Sequence, residues 1–330
     1  MKRRLGTNGP EIPPIVLGGN VYGWTLDEAG AFRQFDRALE AGFNCIDTAD
    51  IYTNWIPGHK GGESETVIGN WLAKTGRRKD VLIATKVGFS MGEGKSGLSA
   101  RYIEQAVDAS LMRLQTDYID LYQTHIDDPK IPIEETLHAF DKLVKAGKIR
   151  FCGASNYSAA RLAEAMEISR RNSLVSFLSL QPKYNLLERQ TFESELLPVV
   201  QKYGLGVISY YSLAAGFLTG KYRRGESATQ AARAGTVEKY RNERGWAVID
   251  VLTEVAAEYN SKPGIVALAW LLNQRGVTAP IASATSDVQL DDLLAAPKLE
   301  ITDENIRRLN DITSAVAFGW QETPLPAARK

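Results

Sequence analysis

Eight short apolar runs, near residues 16–19, 43–48, 81–87, 118–124, 149–154, 177–182, 205–211 and 278–283, alternate along this chain with segments of helical periodicity. The intervening segments space apolar residues three and four apart: Phe32, Phe35 and Leu39; Ile103, Val107, Leu111 and Leu114; Ile133, Leu137, Phe140 and Val144. Each set is the stripe of a helix buried on one face. Gly147 then supplies a helix stop ahead of the fifth strand. Eight such alternations in 330 residues predict an α/β fold, a (β/α)8 TIM barrel. The rival, an open dinucleotide-binding sheet, needs G-x-G-x-x-G between its first strand and a helix. LGGNVYGW at 17–24 has the wrong spacing and no immediate helix.

Residues 1–330 read as a single barrel domain with two additions. Thr7-Asn8-Gly9, between Leu5 and Ile12, predicts an N-terminal β-hairpin within residues 1–15 that plugs the barrel's bottom. A long Gly-, Ala- and Arg-rich loop at 214–244, after strand seven, is expected to cover a ligand. The tail after Pro324 is short and polar. Lys plus Arg and Asp plus Glu balance at 39 each, so no global field favours nucleic acid or an anionic membrane. The N-terminus MKRRLGTNGP leads into no apolar segment and no run approaches the length of a membrane span, which predicts a cytoplasmic protein. Cys45 and Cys152 lie inside strand runs and read as reduced, buried thiols. Three histidines, at 59, 125 and 138, with no Cys/His cluster offer no metal ligand set.

Six of the runs end on polar residues: FNCID at Asp47, VLIATK at Lys86, YIDLYQTH at His125, IRFCGASN at Ser155 and Asn156, FLSLQ at Gln181, and GVISYY at Tyr210. In parallel barrels the strand C-termini carry the chemistry, so these residues are expected to converge on one face. Asp47, Tyr52, Lys86 and His125 form a chemically coherent set. A tyrosine needs a nearby cation to exchange its proton near neutral pH, and Lys86 can supply it. Asp47 can hold the buried lysine, and His125 can orient a carbonyl oxygen. Singly, each has an ordinary reading as a strand-end salt bridge, a satisfied core histidine or a polar turn. Together they suit protonation of an oxygen while carbon is attacked.

The same motifs resemble the aldo-keto reductases. FNCIDTADIY, ATKVG, DYIDLYQTH, GASNY, LQPKYNLL and SYYSLAAGFLTGKY fall in the family's order and spacing, and the likeness runs from LGGN to PIASATSDVQLDDLL. YTNWIPGHKGGESETVIG and the long loop before NERG are more similar to bacterial members of the aryl-alcohol-dehydrogenase-like branch. The resemblance implies an enzyme that reduces aldehydes or ketones reversibly with a nicotinamide cofactor. Tyr52 would be the general acid, Lys86 would lower its pKa, Asp47 would hold Lys86, and His125 would position the substrate oxygen. Ser155, Asn156 and Gln181 would bind the carboxamide and Tyr210 would stack under the nicotinamide ring. Gly19 belongs to the same cofactor set. Leu213, Gly216, Leu218, Thr219, Gly220 and Lys221 would lie along the pyrophosphate, with Lys221 otherwise a solvated loop cation. Ala284, Thr285, Ser286 and Gln289 would meet the adenosine end, and Asp292 either contacts adenine or faces solvent.

Cofactor choice departs from the family pattern. NADPH-preferring members usually carry Arg or Lys in the turn after strand eight, whereas this turn reads Ser283, Ala284, Thr285, Ser286 and Asp287. Hydroxyls and amides there, or Arg233, Lys239, Arg241 or Arg244 from the long loop, could still meet a 2′-phosphate, so NADP(H) is favoured over NAD(H). Thr53 follows Tyr52 where many relatives have glycine, which points to an altered loop shape. Trp24, Trp55, Phe89 and Ile126 either wall an apolar substrate pocket or simply pack. The partner is then a small-molecule carbonyl or alcohol. The alternative implied by the same motifs is a nicotinamide-binding regulatory subunit with slow chemistry, as in the potassium-channel β-subunit branch.

Overall fold

The computed structural model describes residues 2–225 and 234–314. A short antiparallel hairpin, β1 (Arg3–Arg4) and β2 (Glu11–Ile12), precedes eight parallel strands that close on themselves. These are β3 (Val16–Gly18), β4 (Cys45–Asp47), β5 (Leu82–Val87), β6 (Ile119–Thr124), β7 (Ile149–Ser155), β8 (Phe177–Gln181), β9 (Gly206–Ser209) and β10 (Ala279–Ala282). All eight lie within the predicted runs, apart from β7, which continues to Ser155. Strand β10 pairs with β9 on one side and β3 on the other, which closes the (β/α)8 barrel.

Helices α1 (Glu28–Glu40), α2 (Glu63–Thr75), α3 (Ala100–Leu114), α4 (Ile133–Lys145), α5 (Ala159–Asn172) and α6 (Leu197–Tyr203) follow β3 to β8 in turn. After β9 come α7 (Ala234–Val237), α8 (Glu243–Glu258) and α9 (Pro263–Leu272); α10 (Asp287–Ala295) and α11 (Asp303–Ile312) follow β10. The predicted stripes on α1, α3 and α4 face the core, with Phe35, Ile103, Val107, Leu114, Leu137 and Phe140 buried. Helix α4 stops as expected. Gly147 takes φ +73, and its amide and that of Lys148 bond back to Val144 and Leu143 at 2.9 and 3.0 Å.

Two apolar layers result. The larger lies between strands and helices, and a smaller one fills the lower barrel with Val16, Cys45, Ala84, Leu121, Ile208, Ala279 and Ile281. Leu5 and Ile12 of the hairpin belong to the inner layer, so the hairpin plugs the barrel as predicted. The turn between its strands is wider than Thr7-Asn8-Gly9, with Leu5 N bonding Pro10 O at 2.9 Å. Both cysteines are free and buried, and burial pushes the Cys152 thiol up to about 12. In the long connection after β9, Phe217, Leu218, Val237 and Tyr240 are buried in the outer core. Arg233 and the tail after Pro324 lie outside the described residues. Among the described residues no helix is long and apolar enough to cross a membrane.

Candidate active site

Strand alternation builds the site. On the barrel's inner face Cys45 is followed two residues later by Asp47, Ala84 by Lys86, Leu121 by Gln123 and Ile208 by Tyr210. The interior therefore changes from apolar to polar toward the strand C-termini.

Lys86 is 0% exposed and Asp47 1%. The ammonium donates to Asp47 Oδ2 at 2.6 Å, to the Thr48 carbonyl at 2.7 Å and to Tyr52 Oη at 3.0 Å, which engages all three of its protons. Burial draws Lys86 below its ordinary pKa, and the Asp47 carboxylate opposes that shift. Tyr52 Oη also donates to Asp47 Oδ2 across 3.4 Å. The other carboxylate oxygen, Oδ1, accepts from Gln181 Nε2 at 2.8 Å and Gln123 Nε2 at 3.3 Å. The His125 ring lies 5.9 Å from that of Tyr52. Desolvation, and secondarily the charge of Lys86, hold His125 well below its usual pKa, so the imidazole is neutral. Its Nδ1 is buried without a protein partner.

A polar frame adjoins this tetrad. Asn156 takes the left-handed φ of +56 that asparagine tolerates. Its Nδ2 donates to the His125 carbonyl at 2.8 Å and its Oδ1 accepts from Tyr210 Oη at 2.7 Å. Ser155 Oγ donates to the Gln181 carbonyl at 2.9 Å. Gly19, just after β3, abuts β4: a Cβ there would sit 2.8 Å from the Asp47 carbonyl. Trp24 meets Trp55 edge-on at 5.7 Å, Trp55 lies 6.3 Å from Tyr52, and Phe89 lies 4.6 Å from His125. Ile126 is not part of that aromatic group and packs against Gly88.

The segment after β9 has unusual backbone. Ala214, Ala215 and Gly216 take consecutive positive φ values of 48, 57 and 93, and Gly220 takes 75. Left-handed alanines cost about 1–3 kcal/mol each and persist where surroundings over-determine them, typically at ligand sites. A Cβ on Gly216 would lie 3.4 Å from Lys221 Nζ, so a bare backbone and an ammonium face one space, a donor set suited to phosphate. Leu218 is fully buried and Leu213 partly so.

The expected routes to the adenosine end fare differently. Thr285 N and Oγ1 both donate to Gln289 Oε1, and Ser286 Oγ caps α10. Ala284 is buried. Lys239 is paired instead with Glu188, and Arg244 donates to the Leu187 carbonyl at 2.6 Å, so both work on the loop after β8. Arg241 lies beside Glu238 and the Trp246 ring. Asp292 does not stand free in solvent: Lys262 Nζ contacts both its oxygens at 2.7 and 3.0 Å.

Several participants escaped the sequence reading. Gln123, near the end of β6, sits two residues before His125, and that period of two was the available signal. Asp50, inside the DTADIY segment, is 1% exposed with neither oxygen bonded to another side chain. Glu65, fully buried, accepts from Thr85 Oγ1 and from Arg113 Nε at 2.7 Å. Among the described residues no group of three or more His, Cys, Asp and Glu is placed to hold a metal.

Comparison with known proteins adds a second line. The family pattern that matches, over residues 14–314, is described as the aldo/keto reductase family. The chain is 36% identical to the "Uncharacterized oxidoreductase YrpG" of Bacillus subtilis, covering 93% of this chain and 94% of that protein. It is 32% identical to the "Putative voltage-gated potassium channel subunit beta" of Schizosaccharomyces pombe, over 94% and 92%. It is 30% identical to "Protein tas" of Escherichia coli, over 96% and 98%.

Proposed function

The chain belongs to the aldo/keto reductase family and is an enzyme of that family; from this premise we propose that it reduces aldehydes or ketones to alcohols, reversibly, with NADP(H) favoured as cofactor, and that residues 1–330 work as one catalytic unit. One observation carries the reading: a buried ammonium 3.0 Å from the Tyr52 hydroxyl and 2.6 Å from Asp47, on the C-terminal ends of adjacent strands. A bound reduced nicotinamide would supply the hydride that carbon receives.

The chain's own residues then handle the proton. Tyr52 donates it to the developing alkoxide, and the Lys86 charge stabilises the phenolate left behind. Asp47 keeps that charge in place, with Gln123 and Gln181 holding the carboxylate's far oxygen. Neutral His125 offers an N–H to the same substrate oxygen without competing as an acid. Tyr210 would stack under the nicotinamide ring, Asn156, Ser155 and Gln181 would bind its carboxamide, and the Ala214–Lys221 backbone would receive the pyrophosphate beside Leu213 and Leu218. Gly19, Ala284, Thr285, Ser286, Gln289 and Asp292 complete the proposed cofactor contacts. Trp24, Trp55 and Phe89 wall the substrate side, with Ile126 at its edge.

The test is nicotinamide turnover by absorbance, NADPH and NADH in parallel, against aromatic, aliphatic and sugar carbonyls. Tyr52→Phe should lower kcat by about 10²-fold or more while cofactor still binds. Unchanged kcat in Tyr52→Phe refutes the assigned acid. Tight cofactor binding by wild type with no turnover would instead favour a regulatory role, the reading suggested by the relative named as a channel subunit.

A further inference from the structure

We propose that Lys262, at the start of α9 and paired with Asp292 of α10, is the cation that recognises the 2′-phosphate of an adenine dinucleotide. The inference rests on the nicotinamide reading above and concerns a residue outside every segment that suggested that reading.

Lys262 occupies a junction. It is the residue before Pro263 at the first turn of α9, where proline's fixed φ starts the helix. On one side this turn abuts the segment after β9: a Cβ on Gly220 would lie 2.9 Å from Pro263 Cγ, and one on Gly264 would lie 3.5 Å from Thr219 Cα. On the other side Lys262 Nζ reaches both oxygens of Asp292. A dinucleotide whose phosphates lie along Gly216–Lys221 and whose adenosine reaches Ser286–Asp292 would run beside the turn that carries this lysine.

Among the described residues, Lys262 is the apt cation. The turn 283–287 carries no cation, and its Thr285 hydroxyl and amide are turned onto Gln289. Lys239 and Arg244 are directed at the loop after β8. Arg37 also borders α10, but it pairs with Asp287 and Asp291. Lys262 keeps 55% of its side chain exposed, so its ammonium can turn from Asp292 to a phosphate without crossing packed structure. A dianionic phosphate is a stronger acceptor than one half-exposed carboxylate. Asp292 holds the lysine in place before the nucleotide arrives.

The experiment compares the affinities of adenosine 2′,5′-bisphosphate and adenosine 5′-monophosphate by calorimetry on the whole protein, which requires no turnover. Wild type should prefer the bisphosphate. Lys262→Met should shrink that preference by about tenfold or more, the worth of one charge-assisted hydrogen bond. Lys262→Arg should retain it, Asp292→Asn should retain or widen it, and Arg37→Met should leave it alone. An unchanged preference in Lys262→Met, or no preference in wild type, overturns the proposal while the nicotinamide reading stands. If neither nucleotide, NADH nor NADPH binds, that reading falls too. Because Lys262 and Asp292 are exposed and half-buried respectively, melting curves of all variants should overlay wild type, which separates lost recognition from lost fold.

Discussion

Asp50 is a buried carboxyl group with no side-chain hydrogen-bond partner, surrounded by the charges of Glu65, Arg113 and Lys86. Desolvation pushes its pKa well above the ordinary carboxylate value, and the Glu65 carboxylate adds to the shift. Asp47 is the carboxyl bonded to Lys86, and Asp50 makes no bond to that ammonium. The sign of the pH effect follows. A folded-state pKa above the unfolded one contributes stability that is complete below about pH 4 and is lost as pH rises toward the folded value. Asp50→Asn, which mimics the neutral form, removes this dependence. Melting temperature measured against pH should show wild type falling progressively below the Asn variant above about pH 5. Parallel curves would mean that Asp50 is ionised in the native state.

The turn between β4 and α2 carries Tyr52 and Trp55 and is fastened by one glutamate. Glu63 accepts from Thr53 Oγ1 and from the Lys60 amide, both at 2.8 Å. Thr53 is buried at φ +75, a left-handed conformation that strains a β-branched residue and suits glycine. Thr53 thus holds a backbone conformation that glycine would adopt without strain, and its hydroxyl supplies the clasp. In Thr53→Gly, relief of roughly 1–3 kcal/mol of strain offsets loss of a hydrogen bond worth about 1 kcal/mol. Melting should shift by only a few degrees. The Trp55 wall loosens, so KM for a bulky aromatic carbonyl should rise severalfold with kcat nearly constant. Steady-state kinetics with aromatic and small aliphatic substrates checks this, and an equal KM for both enzymes removes the clasp from any role in substrate fit.

At the scale of the molecule, the two ends of the barrel do different work. Leu5 and Ile12 close the bottom against Val16, Cys45, Ala84, Leu121 and Ile208, remote along the strands from Asp47 and Lys86. Leu5→Ala should cost about 2–5 kcal/mol in denaturant unfolding while kcat/KM at 25 °C is unchanged. A matching loss of activity would show that the plug shapes the top as well. This architecture was largely legible because alternating strands, helical stripes, the Gly147 stop and strand-end polar residues are local patterns with fixed periods. Less legible were the pairings made through space. Lys262 and Asp292 are separated by α9 and β10, Glu65 and Arg113 lie on α2 and α3 with β5 between them, and neither pair has a signature within a turn or strand. Gln123 was hidden differently, as a single amide inside a run whose apolar neighbours dominate. Lys239 and Arg244 looked available by composition alone, whereas the folded chain commits them to Glu188 and Leu187.

Asp47 takes donors from Lys86 and Tyr52 on one oxygen and from Gln123 and Gln181 on the other, so a single side chain stitches the upper rims of β4, β5, β6 and β8. Damage to the proposed reaction centre is therefore also damage to a structural seam. Directed evolution of this enzyme toward new substrates would find its freedom in the Trp24 and Trp55 loops, because a library diversified at the seam would be winnowed by heat before it was ever assayed for chemistry.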